Sequence, residues 1–393
     1  MQHPKRFKTF YLLLVIVYGT MILFGLVENL KGTTFPLIKD AFHASYDAQG
    51  SLVSFSSFGY VFFCMVATLS FQKYGIKKSL IFGYLMIVLG CIATVLAPTF
   101  GIISLTLAIL WMGFGFFEVG TNALATTIFK NNSAIYMNLL HFFYGLGAVL
   151  GPIFASSITT YLHTSFRGIY LIVLIPLLIF LGIILFTKFD ASEHTSEEVT
   201  TMTIRSGLRN KHIWLFSLAL GFLEVIEFGA ANWGAFFLRD AYGLDPLTVG
   251  ASFVSGFYIC FTLSRLFSGF AIEKMGYIKS MITGLVILFI LFISGFALGK
   301  QGIILLVGTG FFIAIMWPTI MCVAMDVFKA DAPIATSIII VISGSINAIM
   351  QLITGLINEH ILDTLGYTLN LVYIFIPLSV MIYFYKHQHH TKS

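Results

Sequence analysis

Charge is what this chain has least of. Lys, Arg, Asp and Glu supply only 10% of its 393 residues, against roughly a quarter in soluble domains, which excludes an ordinary water-soluble globule. Cysteine is scarce too: the four present, Cys64, Cys91, Cys260 and Cys322, show no paired spacing, so neither a disulfide frame nor a zinc site is expected and they read as packing residues. The short alternating segments of a transmembrane barrel are missing. No basic groove is visible either. The net charge of +5 comes from basic residues scattered over many short loops, which excludes nucleic acid as a partner. Metal-ligand spacings and nucleophile motifs are absent too, and that argues against an enzyme.

What is present is apolar sequence, 58% of the residues, with a mean hydropathy of +0.94. Runs long enough to cross about 30 Å of hydrocarbon as helices recur almost without pause. Twelve are predicted, at about 10–33, 48–71, 79–97, 101–128, 135–159, 167–187, 212–238, 247–272, 278–298, 302–327, 334–358 and 366–385. The expected class is therefore an all-α, multi-pass protein of the inner or plasma membrane, with the lipid bilayer as its solvent. The first run follows MQHPKRFKTF; it has a basic flank but no small-residue cleavage site, and is expected to be retained. Sixteen Lys and Arg fall in loops on one side, and only Lys39, Arg167, Arg239 and Lys300 on the other, which predicts that both termini are cytoplasmic.

The longest hydrophilic interruption, Asp190–Lys211, splits the spans six and six. It predicts an N-terminal bundle at 1–189, a cytoplasmic linker at 190–211 and a C-terminal bundle at 212–393. Thr68-Leu-Ser-Phe-Gln72-Lys73-Tyr-Gly75 after the second span is echoed by Gly269-Phe-Ala-Ile-Glu273-Lys274-Met-Gly276 after the eighth. Two parallel, pseudo-symmetric six-helix halves of this kind resemble the arrangement of the major facilitator superfamily. The echo also resembles that superfamily's cytoplasmic loop signature, with Gly269, Glu273, Lys274 and Gly276 in the spaced positions and Gln72 replacing the first-half acid. That resemblance implies a gating role for Gly269, Glu273 and Lys274; the alternative is a plain basic cytoplasmic turn.

Polar and ionisable groups inside the spans are the functional candidates, since a charge near the bilayer centre costs at least about 2.5–3.5 kcal/mol. The fourth and fifth spans form a hairpin, Trp111–Pro152, that holds Glu118 and His141 with Asn122 and Asn138 near them. Equal counting from the turn places Asn122 near the depth of His141, and Glu118 about one turn deeper. Amides suit sugar hydroxyls, and the imidazole suits a substrate bond or a proton relay. A fixed His bridging two helices is the competing view. In the seventh span Glu224 and Glu227 share one side, and Asn232-Trp233 follow; carboxylate, amide and indole together suit a pyranose, although Trp233 also fits an interfacial anchor. Arg265 in the eighth span is expected at the cytoplasmic gate. Pro318 within Met316-Trp317-Pro318-Thr319 is expected to kink the tenth span. Asn347 and Gln351 share one face of the eleventh, as substrate contacts or as interhelical glue.

Four stretches, GLVENLKGTTFPLIKDAF, GFFEVGTNAL, MNLLHFFYGLGA and EFGAANWGAFFL, together resemble the fucose–proton symporter family of that superfamily. The resemblance implies proton coupling at Glu118 and an acidic role for Glu227, and it aligns Asn29 with the family's first-helix asparagines. It also exposes a departure: the family's first-helix aspartate is Gly32 here, within Glu28-Asn29-Leu30-Lys31-Gly32. Either Glu28 substitutes for it in coupling, or Glu28 and Lys31 pair near the outer end of the helix.

The resulting expectation is a monomeric hexose-like sugar–proton symporter working by alternating access, powered by the proton gradient without cofactor or metal. The alternative is a drug–proton antiporter of the same fold, because Gly147-Ala-Val-Leu-Gly151-Pro152 partly matches the glycine-proline motif of those proteins. Ordinary small-residue packing also produces such a run. An intramembrane enzyme using Glu118 and His141 as an acid–base pair is the remote third reading.

Overall fold

A computed structural model describes residues 4–128, 133–187, 189 and 202–390. Among these, twelve helical stretches are long and apolar enough to cross a membrane: Phe10–Ala41, Tyr46–Phe71, Ile76–Leu96, Phe100–Ala125, Leu139–Leu162, Phe166–Phe186, Lys211–Tyr242, Pro246–Ser268, Tyr277–Ala297, Gly299–Asp331, Ile334–His360 and Leu365–His387. Helices are the expected solution, because in lipid every backbone N–H and C=O has to be satisfied within its own segment.

Two of these stretches depart from simple rods. The first span runs on to Ala41, past the expected end near 33, with a turn at Leu30 between helices Pro4–Asn29 and Lys31–Ala41. Hydropathy drops there because the polar residues face protein: Thr33 donates to the Pro152 carbonyl at 3.3 Å, and Thr34 bonds the Tyr170 hydroxyl at 3.2 Å. The tenth span breaks between Ile303–Ile313 and Met316–Phe328. Pro318 has no N–H to offer the Ala314 carbonyl, and the expected kink falls at that point.

Each half is stitched in the same way. The first span packs on the fifth, the second and third on the fourth, and the third on the sixth; in the other half the seventh packs on the eleventh, the eighth and ninth on the tenth, and the ninth on the twelfth. The halves meet where the second span lies along the eleventh and the fifth along the eighth. The sequence echo reappears in the backbone. Gly75 ends the second span at φ +81° and ψ 162°, and Gly276 ends the eighth at φ +79° and ψ 157°. Each donates its N–H back to the helix, to Phe71 at 3.0 Å and to Ile272 at 2.8 Å, a left-handed turn that favours glycine.

The described part of the segment between the halves begins at residue 202 and contains the short helix Ile204–Gly207, capped by Thr203. Residues 190–201 of the expected linker lie outside the described residues.

Candidate functional site

A turn in the first span and close helix packing bring ionisable groups of five spans together. The turn at Leu30 sets Glu28 and Lys31 on one side of the first span, where the Lys31 ammonium donates to Glu28 Oε1 at 3.1 Å. The other carboxylate oxygen accepts the Tyr144 hydroxyl of the fifth span at 2.6 Å. Tyr144 is placed by backbone contact: its carbonyl lies where a Cβ on Gly25 would sit, 2.0 Å away. Gly147 and Gly151 extend that contact, since a Cβ on either would strike the Ile22 carbonyl at 2.1 Å or the Leu26 carbonyl at 2.6 Å. The glycine run of the fifth span is thus occupied in seating this helix on the first. The Glu28–Lys31 pairing offered by one sequence reading is present, across the turn at Leu30; the span runs on to Ala41, and both residues are buried, at 7% and 2% exposure.

Glu118 is held by its own helix, accepting the Asn122 amide at 3.1 Å while that amide also donates to the Glu118 carbonyl at 2.7 Å. Arg265 stands within electrostatic range of Glu118, Glu227, Tyr144 and Tyr258, and His141 faces it as well. The sequence groups Arg265 with the gating candidates Gly269, Glu273 and Lys274; the structure brings it among the carboxylates of both halves. Glu273 and Lys274 are exposed eight and nine residues on, about 12 Å along the helix. Glu224 accepts the Ser343 hydroxyl of the eleventh span at 3.2 Å. Glu118, Asn122, His141, Glu224, Glu227 and Arg265 are all half-buried. Ionisable groups inside membrane spans are expected to face the protein interior and not lipid.

A second, uncharged cluster belongs to the C-terminal half. Gln351 accepts from the Trp233 indole at 2.8 Å and from the Asn232 amide at 3.2 Å, and donates to Asn347 at 2.9 Å. All four substrate-binding candidates of this half, Asn232, Trp233, Asn347 and Gln351, meet in one chain of bonds, and all four are buried. Asn232 Oδ1, Asn29 Oδ1, the Tyr258 hydroxyl and Arg265 Nε are buried without a bonding partner among the described residues. Such atoms are poised for ligand hydroxyls or water. Asn29 otherwise donates only to the Gly25 carbonyl, at 2.9 Å. The side chain of Asn138 and the Gly269 position lie outside the residues described at side-chain level.

Sequence reasoning missed a third group, at the face opposite the termini. Arg239 of the seventh span bonds both Asp40 oxygens of the first at 2.9 and 3.1 Å, the Asp240 carboxylate at 2.9 Å and the Tyr46 hydroxyl at 2.9 Å. The Tyr46 hydroxyl donates to Asp240, and its N–H donates to Glu359 of the eleventh span at 2.7 Å. Its ring lies 6.4 Å from that of Trp233. The backbones close up here: a Cβ on Gly50 would come 2.9 Å from Gly355 Cα. This end of the passage between the halves is shut. The only sequence signal was four charges at span ends, Asp40, Arg239, Asp240 and Glu359, which read as ordinary loop residues until the halves are assembled.

A Major Facilitator Superfamily model matches residues 17–254. The glucose/mannose transporter GlcP of Bacillus subtilis (strain 168) is 23% identical over 381 residues, 93% of each chain. Among solved structures, a variant of the E. coli fucose:proton symporter FucP aligns with a TM-score of 0.64 at 20% identity, over 94% of this chain and 97% of its own. A mutant of the nucleoside transporter NupG aligns with a TM-score of 0.78 at 14% identity, over 95% and 99%. These structural likenesses show the fold. With a match to more than half its length, and with the paired halves already described, the chain belongs to the Major Facilitator Superfamily and is a multi-pass membrane transporter.

Proposed function

We propose that this chain is a proton-coupled symporter of a hexose-like sugar that works as a monomer by alternating access, with both termini in the cytoplasm. Its two bundles, 1–189 and 212–393, rock about the central site and are joined by the linker at 190–211. The observation that carries the reading is that carboxylates from both halves, Glu28 and Glu118 from one and Glu227 from the other, lie within electrostatic range of Arg265 or Lys31 between the spans. A neutral amide–indole network lies in the same passage. Carboxylates inside the membrane are suited to taking up and giving back protons as the passage opens to either side. Asn232, Trp233, Asn347 and Gln351 offer a pyranose both a stacking ring and bonding partners. GlcP transports glucose and mannose, and FucP carries fucose with a proton, by their names; both support a sugar as cargo.

Glu118 is assigned the proton. Among the described residues no cation is bonded to it and Asn122 is its one side-chain partner, so protonation breaks no ion pair there. Arg265 serves as the shared counter-charge of Glu118 and Glu227. The glycine-proline run that partly matches drug–proton antiporters seats the fifth span on the first, a packing role that suits symport as well as antiport.

The test is substrate-dependent proton movement in proteoliposomes offered a hexose panel. External alkalinisation on adding one sugar is expected. Gradient-driven extrusion of lipophilic dyes, with no response to any sugar, would establish antiport in its place.

A further inference from the structure

Lys31 sets its side-chain nitrogen deep inside a membrane protein, and its surroundings are those of a cation receptor. Its ammonium bonds Glu28 at 3.1 Å. It also lies over the ring of Trp111, 4.5 Å from the centroid, and over that of Phe228 at 4.9 Å. Trp111 comes from the fourth span, Phe228 from the seventh, and Glu28 from the first, steadied by Tyr144 of the fifth. Glu227 is the further carboxylate within electrostatic range. A carboxylate and two aromatic faces are how proteins hold an ammonium in a dry place, because the ring quadrupoles replace part of the lost hydration. Burial at 2% exposure leaves this charge little water to fall back on, so the box has to supply the solvation itself.

The geometry points to Glu28, Trp111, Phe228 and Tyr144 as a binding site for a small monovalent ammonium, of which Lys31 is the built-in occupant. Phe228 belongs to the half opposite Glu28 and Trp111, so the site is complete only when the two halves are together at this level. A tethered cation there neutralises Glu28 in every turn of the cycle and does what a co-transported cation would otherwise do. Glu28 is then removed from the list of proton carriers. The inference concerns this box alone and holds whether or not the chain moves protons.

Truncating the tether is expected to empty the box and expose it to a cation from solution. The full-length Lys31→Ala protein, purified in detergent, should gain melting temperature on titration with ethylammonium chloride, saturably and beyond an equal concentration of sodium chloride. Wild type should show no such gain, because its box is filled. Glu28→Gln/Lys31→Ala should show none either, because the carboxylate is gone. Should Lys31→Ala be too unstable to purify alone, the same occupancy reads as yield: ethylammonium in the buffers restores monodisperse protein to the single variant and not to the double. Absence of both the shift and the rescue overturns the proposal, as does an equal response of the double variant. Transport gives a second readout with D-glucose as probe. The number of cations moved per glucose should rise by one on going from wild type to Lys31→Ala, and return on adding Glu28→Gln. An uncoupled wild type would refute the proton-symport reading and leave that difference intact, while an unchanged number in Lys31→Ala would count against the tethered cation.

Discussion

The two polar clusters of the interior are built on opposite principles. The one centred on the first, fourth, seventh and eighth spans is made of charges, with Glu28 bonded to Lys31, and with Glu118 and Glu227 in electrostatic range of an Arg265 that, among the described residues, bonds neither of them. The one between the seventh and eleventh spans contains no charge at all, and its members are tied into a single chain through Gln351. Groups that gain and lose protons need freedom to change partners, whereas groups that read a hydroxyl pattern need fixed donors and acceptors. On the proposed function the difference separates coupling from recognition by location, and each is expected to be removable without the other.

The largest effect is expected from Glu118→Gln. It keeps the shape and the Asn122 contact but cannot carry a proton, so sugar accumulation against a gradient should vanish while exchange counterflow persists; accumulation and counterflow assays on the same vesicles check this. Next comes Gln351→Ala, which leaves the Trp233 indole, Asn232 and Asn347 without their shared partner. An unpaired buried group costs about 1–3 kcal/mol, roughly a 5- to 150-fold rise in sugar KM, and the proton-to-sugar ratio should not change. An equal loss of coupling in this variant would break the separation. Arg239→Gln at the closed end acts on neither cluster directly. Asp40 is 61% exposed, so that ion pair by itself contributes little, but the variant also releases Tyr46 and Asp240. A shift of about 1–2 kcal/mol, roughly 5- to 30-fold, toward the state open at this end is expected. Spin-label distances between Ala44 and Asp363 would record it. The smallest effect belongs to Glu273→Gln, which gives the second half the residue type that the first half carries at Gln72. The side chain is exposed, and stability should move by no more than about 0.5 kcal/mol.

How much of this was legible in the sequence depends on how far apart the partners lie along the chain. The spans were, because each is an autonomous apolar segment. So was the kink before Pro318, and so was the Asn347–Gln351 bond, which is a local i,i+4 spacing. The glycine turn after the second span could be matched to that after the eighth because both are written in a short motif. Asn232 and Trp233 could be nominated but not joined to Gln351, which lies in another span more than a hundred residues on. The depth of Lys31 was hidden because hydropathy falls along Lys31–Ala41 while the helix continues, its polar groups being met by the fifth and sixth spans. Arg265 was placed by its distance from Glu273, which locates it along its helix but does not say which side faces the other half. The shut end was illegible for the same reason: Asp40, Tyr46, Arg239 and Glu359 have no common pattern, and only the packing of one half on the other makes them neighbours.

Tyr46 has a consequence for how the passage opens. One residue of the first half is fastened to the second at three points, through its N–H to Glu359, its hydroxyl to Asp240 and Arg239, and its ring against Trp233. Loosening one fastening leaves two that still hold the helix end in place, so partial opening recovers little freedom, and full opening requires all three to yield together. Such a catch responds abruptly and not in proportion to the pull upon it. Because one of its teeth rests on the indole that Gln351 orients, whatever disturbs the amide chain deep in the passage is felt at the door.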